Sequence, residues 1–476
     1  MTMDHLKVRT RIGDIETPVG AILKLGANEP GAFLFESIHG GERLGRYSFI
    51  GFGPRKWFRI RGGEAEISTN ADFSDATPAP GDTPVAALKL FVESAKATSD
   101  SELPPMASGA FGYIGYDMIQ YVEPVDIKSP KELDVPEVLL VIPQTVIIFD
   151  HLYQEIQLVG RIFEGDEMAT DAALDDVEKR LSALTPLTPK EQAEGELEFK
   201  SNTTKERYFE IVERAREYTR AGDIFQVVPS QRLTADFQYS SISFYRALRR
   251  LNPSAFMFHM SFGDLKLVGS SPEILVRVRD GRVAIRPIAG TRPRSGDPAE
   301  DAKRAASLLA DEKEMSEHLM LLDLGRNDVG RVAAYGSVEV TESFIIERYS
   351  HVMHIVSHVE GDLREGLDAV DALFAGFPAG TVSGAPKIRA MQIIDELESS
   401  RRGIYGGAIG YFGWQGDLDT CIALRTAVIK DNQLHIQAGG GVVLDSDPQY
   451  EFDETMHKAG ALKRAAGLAS IYEFDQ

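Results

Sequence analysis

The amino-acid sequence predicts an α+β fold of antiparallel β-sheets with helices on their outer faces. Three observations support that reading. Short β-branched and aromatic runs, punctuated by Gly and Pro, recur along the chain. Helical apolar patterns interleave with them. The strand candidates are spaced too irregularly for strict βαβ alternation, which favours antiparallel over parallel pairing. The 476 residues favour two to four domains, or one unusually large one, at roughly 100 to 200 residues per domain. They can bury a substantial core without disulfides, and no repeat of fixed period is evident.

In the first part of the chain, strands are predicted at 33–35, 47–51, 57–60 and 138–149, and helices at 84–96 and 170–184. The run at 138–149 is interrupted by Pro143 and Gln144. It is too short for a membrane span of ~20 residues, and its β-branched content reads as a buried strand. Residues 185–200, TPLTPKEQAEGELEFK, hold two Thr-Pro steps, several charges and almost no large apolar side chain. They read as a connector between a first unit, 1–184, and a second, 201–476. Thr203 and Glu206 then offer a capping box. Tyr208, Ile211, Val212, Ala215 and Tyr218 follow at helical spacing, and Gly222 supplies a stop. Further strands are predicted at 224–233, 265–269, 274–279, 283–288, 352–359 and 434–438, and long helices at 298–323 and 448–466.

Composition narrows the function classes. The 43% hydrophobic and 26% charged content is ordinary for a folded protein. Lys and Arg number 51 against 72 Asp and Glu, a net charge of −21, so the mean field repels polyanions and offers no footprint for nucleic acid or an anionic membrane. A small anionic substrate would need a local cation cluster. The one cysteine, Cys421, cannot form an internal disulfide, and residues 1–11 lack the apolar core of a secretory signal. Both fit a cytoplasmic setting.

Two glutamate pairs stand at i, i+3 spacing, Glu314 with Glu317 and Glu451 with Glu454, so each pair shares one helix face. Either pair alone is equally what a solvated acidic helix carries. Together, four carboxylates converging from two helices would suit Mg²⁺, which takes hard oxygen ligands. Gly439, Gly440 and Gly441 lie just before the second pair, where backbone can approach an anion closely. The loop FPAGTVSGAPK (377–387) brings Thr381, Ser383 and Lys387, but Ala385 and Pro386 separate Gly384 from Lys387, so it is not a nucleotide phosphate loop. GFGPRK (51–56) lacks the third glycine of a dinucleotide fingerprint. His351, His354 and His358 do not form a zinc motif: their alternating pattern is that of a strand, which sets residues four apart ~13 Å from each other. A single strand-end histidine remains either an acid or base or a structural hydrogen-bonder. Cys421 reads as a small buried hydrophobe.

The ordered motifs GGERLGRYSFIG (40–51), DIFQVVPSQR (223–232), NPSAFMF (252–258), SSPEIL (270–275), RPIAGTRPR (286–294), DEKEMSEHLMLLDLGRND (311–328), FPAGTVSGAPK, RRGIYGG (401–407) and AGGG followed by EFDETMHKA resemble the chorismate-utilising enzymes. The resemblance spans nearly the whole chain and is strongest to the anthranilate-forming branch. It implies antiparallel sheets packed face to face as a sandwich. Members that form aminodeoxychorismate carry a lysine where this chain has Ala289. Those that activate water carry one where it has Gln226. The comparison therefore implies ammonia, already a nucleophile, as the second substrate.

By the same resemblance, Glu314, Glu317, Glu451 and Glu454 surround Mg²⁺, which holds the ring carboxylate of chorismate. Backbone N–H groups of Gly439, Gly440 and Gly441 bind that carboxylate, although the family usually reads Gly-Ala-Gly here. Gly290, Thr291, Tyr405 and Arg425 hold the enolpyruvyl group, Arg425 being able to grip a carboxylate bidentately. Gln226 and Thr381 line the pocket, and Lys458 closes the metal side. Glu273 is the acid that protonates the leaving C4 hydroxyl, and His354 serves pyruvate elimination. Pro18, Glu36, Ser37, Ala255, Phe256, Met257 and Cys421 match positions of a tryptophan feedback site in the first unit and its junction with the second. A competing reading makes these core positions that join the two halves. The chain has no cysteine elbow for hydrolysing glutamine, so the resemblance implies a hetero-oligomer with a separate glutamine amidotransferase subunit. Release of the aminated intermediate, an aminodeoxychorismate product and a catalytically silent tryptophan sensor are the alternatives.

Overall fold

The computed structural model describes residues 3–39, 43–185, 197–349 and 352–473. The core of the predicted connector, part of the 40–51 motif and His351 therefore lie outside the described residues. The fold is α+β, and its strand pairs are antiparallel apart from a short parallel contact of Asp4–Ile12 with Ala97–Ser99.

Two long strands organise the sheets. Tyr47–Arg61 and Val138–Asp150 pair along their length, with a register shift between Ile142 and Pro143, opposite Lys56 and Pro54. Proline cannot donate to the ladder, and a shift at paired prolines bends both strands. Each strand therefore serves two sheets, as strands do at the corners of a sandwich. The first sheet runs from the 47–51 half of the first strand to Phe33–Glu36, Phe256–Phe262, Leu265–Ser271, Thr426–Lys430, Gln433–Gly439 and Ser230–Asp236. The second runs from the 138–141 end of the other strand to Gly109–Ile114, Ala408–Gly413, Leu418–Ile422, Ile274–Arg279, Arg282–Ile285 and Val352–Asp362. Strands from either side of the connector pair in both sheets.

Side-chain alternation sorts the core into layers. Phe33, Phe35, Val146 and Ile148 point into an aromatic-rich layer, whereas their neighbours Leu34, Ile147 and Phe149 join a second cluster with the helices Pro18–Leu25, Ser241–Leu251 and Pro448–Leu468. Leu139 and Val141 face the same aromatic layer. Val138, Leu140 and Ile142 turn instead to a third cluster with Pro84–Ser94 and Ala369–Gly376. Inside the sandwich, Phe33 stacks on Phe111 at 4.6 Å and Phe35 on Phe49 at 5.2 Å, geometries that add to area burial.

Four predicted elements differ in detail. The long helix at 298–323 is two, Pro298–Leu309 and Glu312–Val332, because the Asp311 carboxylate accepts the Lys313 and Glu314 N–H groups and starts a new helix. The cap before Lys205–Ala221 is Thr204, whose hydroxyl accepts the Arg207 N–H; Thr203 is one residue too early. Strands predicted at 224–233 and 283–288 each divide, into Gln226–Val227 and Ser230–Asp236, and Arg282–Ile285 and Ile288–Pro293.

Two crossovers set up the site. The chain passes from the first sheet to the second between Ser271 and Ile274, and returns between Ile422 and Thr426. The crossovers lie side by side: Ile422 N–H donates to the Glu273 carbonyl, and Ser270 N–H donates to the Arg425 carbonyl. Arg425 takes a left-handed φ of 48° in its turn, a strained state for a non-glycine residue. Glu273 and Arg425 are thereby set together where the sheets part.

Candidate active site

Glu273 is buried, and its Oε1 accepts from the Thr381 hydroxyl at 3.0 Å. Burial raises its pKa to about 8, against the opposing pull of Thr381, Arg425 and Lys458. It therefore holds a proton at neutral pH. Arg425 is half-buried beside it, and desolvation lowers the guanidinium's pKa, opposed by Glu273. It makes no ion pair among the described residues, so its five donors are available to an incoming anion.

His354 sits near the start of Val352–Asp362, opposite Ile288–Pro293. Its Nδ1 lies 2.9 Å from the Gly290 carbonyl and 3.1 Å from the Thr291 hydroxyl. A carbonyl only accepts, so Nδ1 carries the hydrogen and Nε2 is left as a base. Burial lowers the imidazole pKa, which keeps the ring neutral. The register slips between Ala289 and Thr291, so Gly290 forms a bulge at φ 67° and turns its carbonyl to the histidine. A Cβ there would meet Glu314 Oε2 at 3.0 Å. Tyr349 packs edge-on against His354 at 5.4 Å and donates to Glu347, which pairs with Arg286. Sequence reasoning did not single out this support; its one signal was the tyrosine's place five residues before the histidine.

The two glutamate pairs lie in the first two turns of Glu312–Val332 and Pro448–Leu468, with Glu314 and Glu451 in the first turn, where the helix dipole favours carboxylates. They face a common region. Gln226 Nε2 lies 3.5 Å from Glu317 Oε1, and a Cβ on Gly440 would lie 3.0 Å from Glu451 Oε2 and 3.2 Å from Glu454 Oε2. Burial raises the pKa of Glu317, and raises that of Glu451 to about 7 with further help from Glu454. Glu451 Oε2 is buried without a hydrogen-bond partner. Glu314 is paired with Arg292 at 3.0 Å. Among the described residues no three acidic, histidine or cysteine side chains converge as closely as a formed ligand shell. All-oxygen donors with one unpartnered buried oxygen nonetheless fit Mg²⁺.

Of the three glycines, Gly440 already donates its N–H to the Pro229 carbonyl at 3.2 Å, while Gly441 lies against the Gln226 amide. Lys458 Nζ donates to the Gly439 carbonyl at 2.9 Å and pairs with Glu454 at 3.1 Å. The Tyr405 hydroxyl lies against Gly439, 3.0 Å from where a Cβ there would stand. In the 377–387 loop, Thr381 serves Glu273, Ser383 bonds the Ala379 carbonyl and Lys387 pairs with Asp328 at 2.8 Å.

The proposed tryptophan positions divide. Glu36, Ser37, Ala255 and Phe256 line a cavity of about 1090 Å³ between the two parts of the chain, joined by Phe35, Arg286 and Tyr349. Glu36 is engaged there by Arg249 at 2.7 Å. Pro18 opens the helix Pro18–Leu25, and Met257 and Cys421 are fully buried in the core; none of the three lines the cavity.

A buried proton donor, an uncommitted arginine, a base of fixed tautomer and facing carboxylates define an enzyme site for a small anionic substrate. Residues 32–464 match the family described as chorismate binding enzyme, and the chain belongs to it. Within that family it is 50% identical over 468 residues to anthranilate synthase component 1 of Cereibacter sphaeroides, covering 96% of this chain and 94% of the relative. It is 45% identical over 461 residues to that of Thermus thermophilus, covering 97% of each. The crystal structure of anthranilate synthase component I from Streptococcus pneumoniae superposes with a TM-score of 0.81 at 36% identity, covering 90% of this chain and 95% of that one. The menaquinone-specific isochorismate synthase of Escherichia coli shares the fold at a TM-score of 0.71 and 19% identity, covering 98% and 96%. Among the described residues no helix is long and apolar enough to cross a membrane.

Proposed function

We propose that this chain is the synthase subunit of anthranilate synthase, converting chorismate and ammonia to anthranilate and pyruvate in tryptophan biosynthesis. The observation that carries the reading is Glu273: a carboxyl protonated up to about pH 8, beside a free arginine, in a buried crossover. A protonated acid of this kind assists departure of the C4 hydroxyl as ammonia adds at C2. Arg425 holds the enolpyruvyl carboxylate, with Tyr405, Gly290 and Thr291 around it. Neutral Nε2 of His354 then takes the C2 proton as pyruvate leaves and the ring aromatises. Gln226 has no basic atom to activate water, in keeping with ammonia as nucleophile.

Glu314, Glu317, Glu451 and Glu454 are the residues that would hold Mg²⁺, with Lys458 balancing their charge. When bound, the ion neutralises the substrate's ring carboxylate. Ammonia comes from glutamine by way of a separate amidotransferase subunit, because the lone cysteine, Cys421, is buried in the core. We further propose feedback inhibition by tryptophan in the large cavity at Glu36, Ser37, Ala255 and Phe256.

The purified chain, given chorismate, Mg²⁺ and ammonium, is expected to release fluorescent anthranilate and to be inhibited by tryptophan. With glutamine in place of ammonium it is expected to release none, and glutamine-driven product from the isolated chain would overturn the two-subunit reading.

A further inference from the structure

Glu273 faces a second, smaller space. A cavity of about 30 Å³ is lined by Glu273, Thr381 and Asp328, with Pro287, Leu321 and Gly325 among its apolar walls. One water needs roughly 10 to 15 Å³ of such volume, so there is room for one or two. Asp328 is 4% exposed. Its Oδ2 accepts from Lys387 Nζ at 2.8 Å, whereas its Oδ1 is buried and has no hydrogen-bond partner among the described residues. A buried carboxylate oxygen left unpaired is costly, and such atoms are ordinarily met by internal water. The cavity thus brings two carboxyl groups to one space, with Arg286 also in its lining, and one of the two has an oxygen lacking a partner. Lys387 stands on the outer side of the pair, its side chain 10% exposed.

We propose that Asp328, held by Lys387, is a positioning and relay residue that returns a proton to Glu273 through water in this cavity. The proposal rests on Glu273 being the general acid. In each turnover the Glu273 O–H bond breaks as its proton passes to the C4 oxygen, the C4–O bond breaks, and water departs. The Glu273 carboxylate takes a proton from the cavity water as that water takes one from Asp328, which receives it in the same step from the Lys387 ammonium at 2.8 Å, and the neutral lysine regains a proton from solvent. The ammonia nitrogen that bonds to C2 loses one proton to solvent, so the cycle closes with no net change in protons. Without such a route the enclosed carboxylate could regain its proton only after the substrate pocket opened.

The test uses the full chain with ammonium as nitrogen donor. Asp328→Asn is expected to lower kcat roughly tenfold, less than the roughly 10² to 10⁴ contributed by a group that transfers the proton directly, with KM for chorismate unchanged and a larger solvent deuterium isotope effect on kcat. Gly325→Ala provides a second probe. Its Cβ would lie 3.2 Å from Pro287 Cγ and 3.7 Å from both Ile285 Cγ2 and Val359 Cγ2, the first two of which line the cavity, while alanine favours the helix. It is expected to reduce kcat several-fold, with the same unchanged KM, by displacing water. Should Asp328→Asn fail to fold, Gly325→Ala decides. Wild-type kcat and isotope effect in a folded variant, or a change confined to KM, would overturn the relay. Glu273→Gln separates the two layers: if it is inactive while both cavity variants are normal, only the relay fails, and if it is fully active, the acid assignment and the relay fail together.

Discussion

Burial acts on Glu273 and His354 in opposite senses, because it penalises whichever form is charged. The carboxyl is raised to about 8 and keeps its proton; the imidazole is lowered and stays a base. With free ammonia held constant, kcat is expected to fall as pH rises through about 8, where Glu273 loses its proton. Its acid limb is expected below the ordinary imidazole range, and a profile flat across both regions would contradict these assignments. Glu273→Gln is expected to lower kcat by about 10² to 10⁴. The same substitution should stabilise the fold at alkaline pH. A carboxyl whose folded pKa lies above its unfolded value loses stability as pH rises from the unfolded value of 4.5 towards about 8, and glutamine has no such loss. Thermal melts should therefore coincide near pH 4 and separate by a few degrees at pH 8. His354→Asn is expected to spare amination and slow pyruvate loss, so that mass spectrometry finds an aminated, enolpyruvyl-bearing intermediate; unchanged anthranilate output would remove the histidine from that step.

Secondary structure in this chain places chemistry through irregularities rather than through regular stretches. The bulge at Gly290 aims a carbonyl at His354, and the crossovers at Glu273 and Arg425 interrupt otherwise regular strands. Gly290→Ala must adopt a left-handed φ and crowd Glu314 Oε2 at 3.0 Å. It is expected to cost about 1 kcal/mol or more in stability and to raise the Mg²⁺ concentration needed for half-maximal activity, both readable from denaturant melts and metal titrations. Element types were legible from periodicity: the strand at Ile274–Arg279 and the helix opened by Pro448 lie where apolar spacing placed them. Boundaries were less so, because Thr203 and Thr204 offer the same hydroxyl and only the fold selects one. The break at Asp311 was hidden because the apolar pattern continues across it. The candidate site residues were singled out through their motifs. Their partners, Arg292 on Glu314, the Pro229 carbonyl on Gly440 and the cavity behind Glu273, depend on contacts between distant segments that no local pattern encodes.

The sandwich interior joins residues from both sides of the connector, with Phe33, Phe35 and Phe111 from one and Phe258 and Tyr411 from the other. Phe258→Ala is therefore expected to destabilise the whole molecule by roughly 3 to 5 kcal/mol. A protease site inserted within 186–196 should leave two fragments that co-elute after cleavage, since strand pairs cross the cut in both sheets; separation of the fragments under native conditions would contradict a shared core. Net charge of −21 argues against polyanions but says little about a small dianion, because a single uncommitted arginine such as Arg425 is enough to alter the field around it. The proposed chemistry turns on Glu273 protonating the leaving hydroxyl while chorismate is aminated. Its most direct test is to incubate wild type and Glu273→Gln with chorismate, Mg²⁺ and ammonium, following anthranilate and pyruvate together. Equal amounts of both are expected from the wild type and near-background amounts of either from the variant, whereas wild-type turnover by Glu273→Gln would remove the carboxyl from that step.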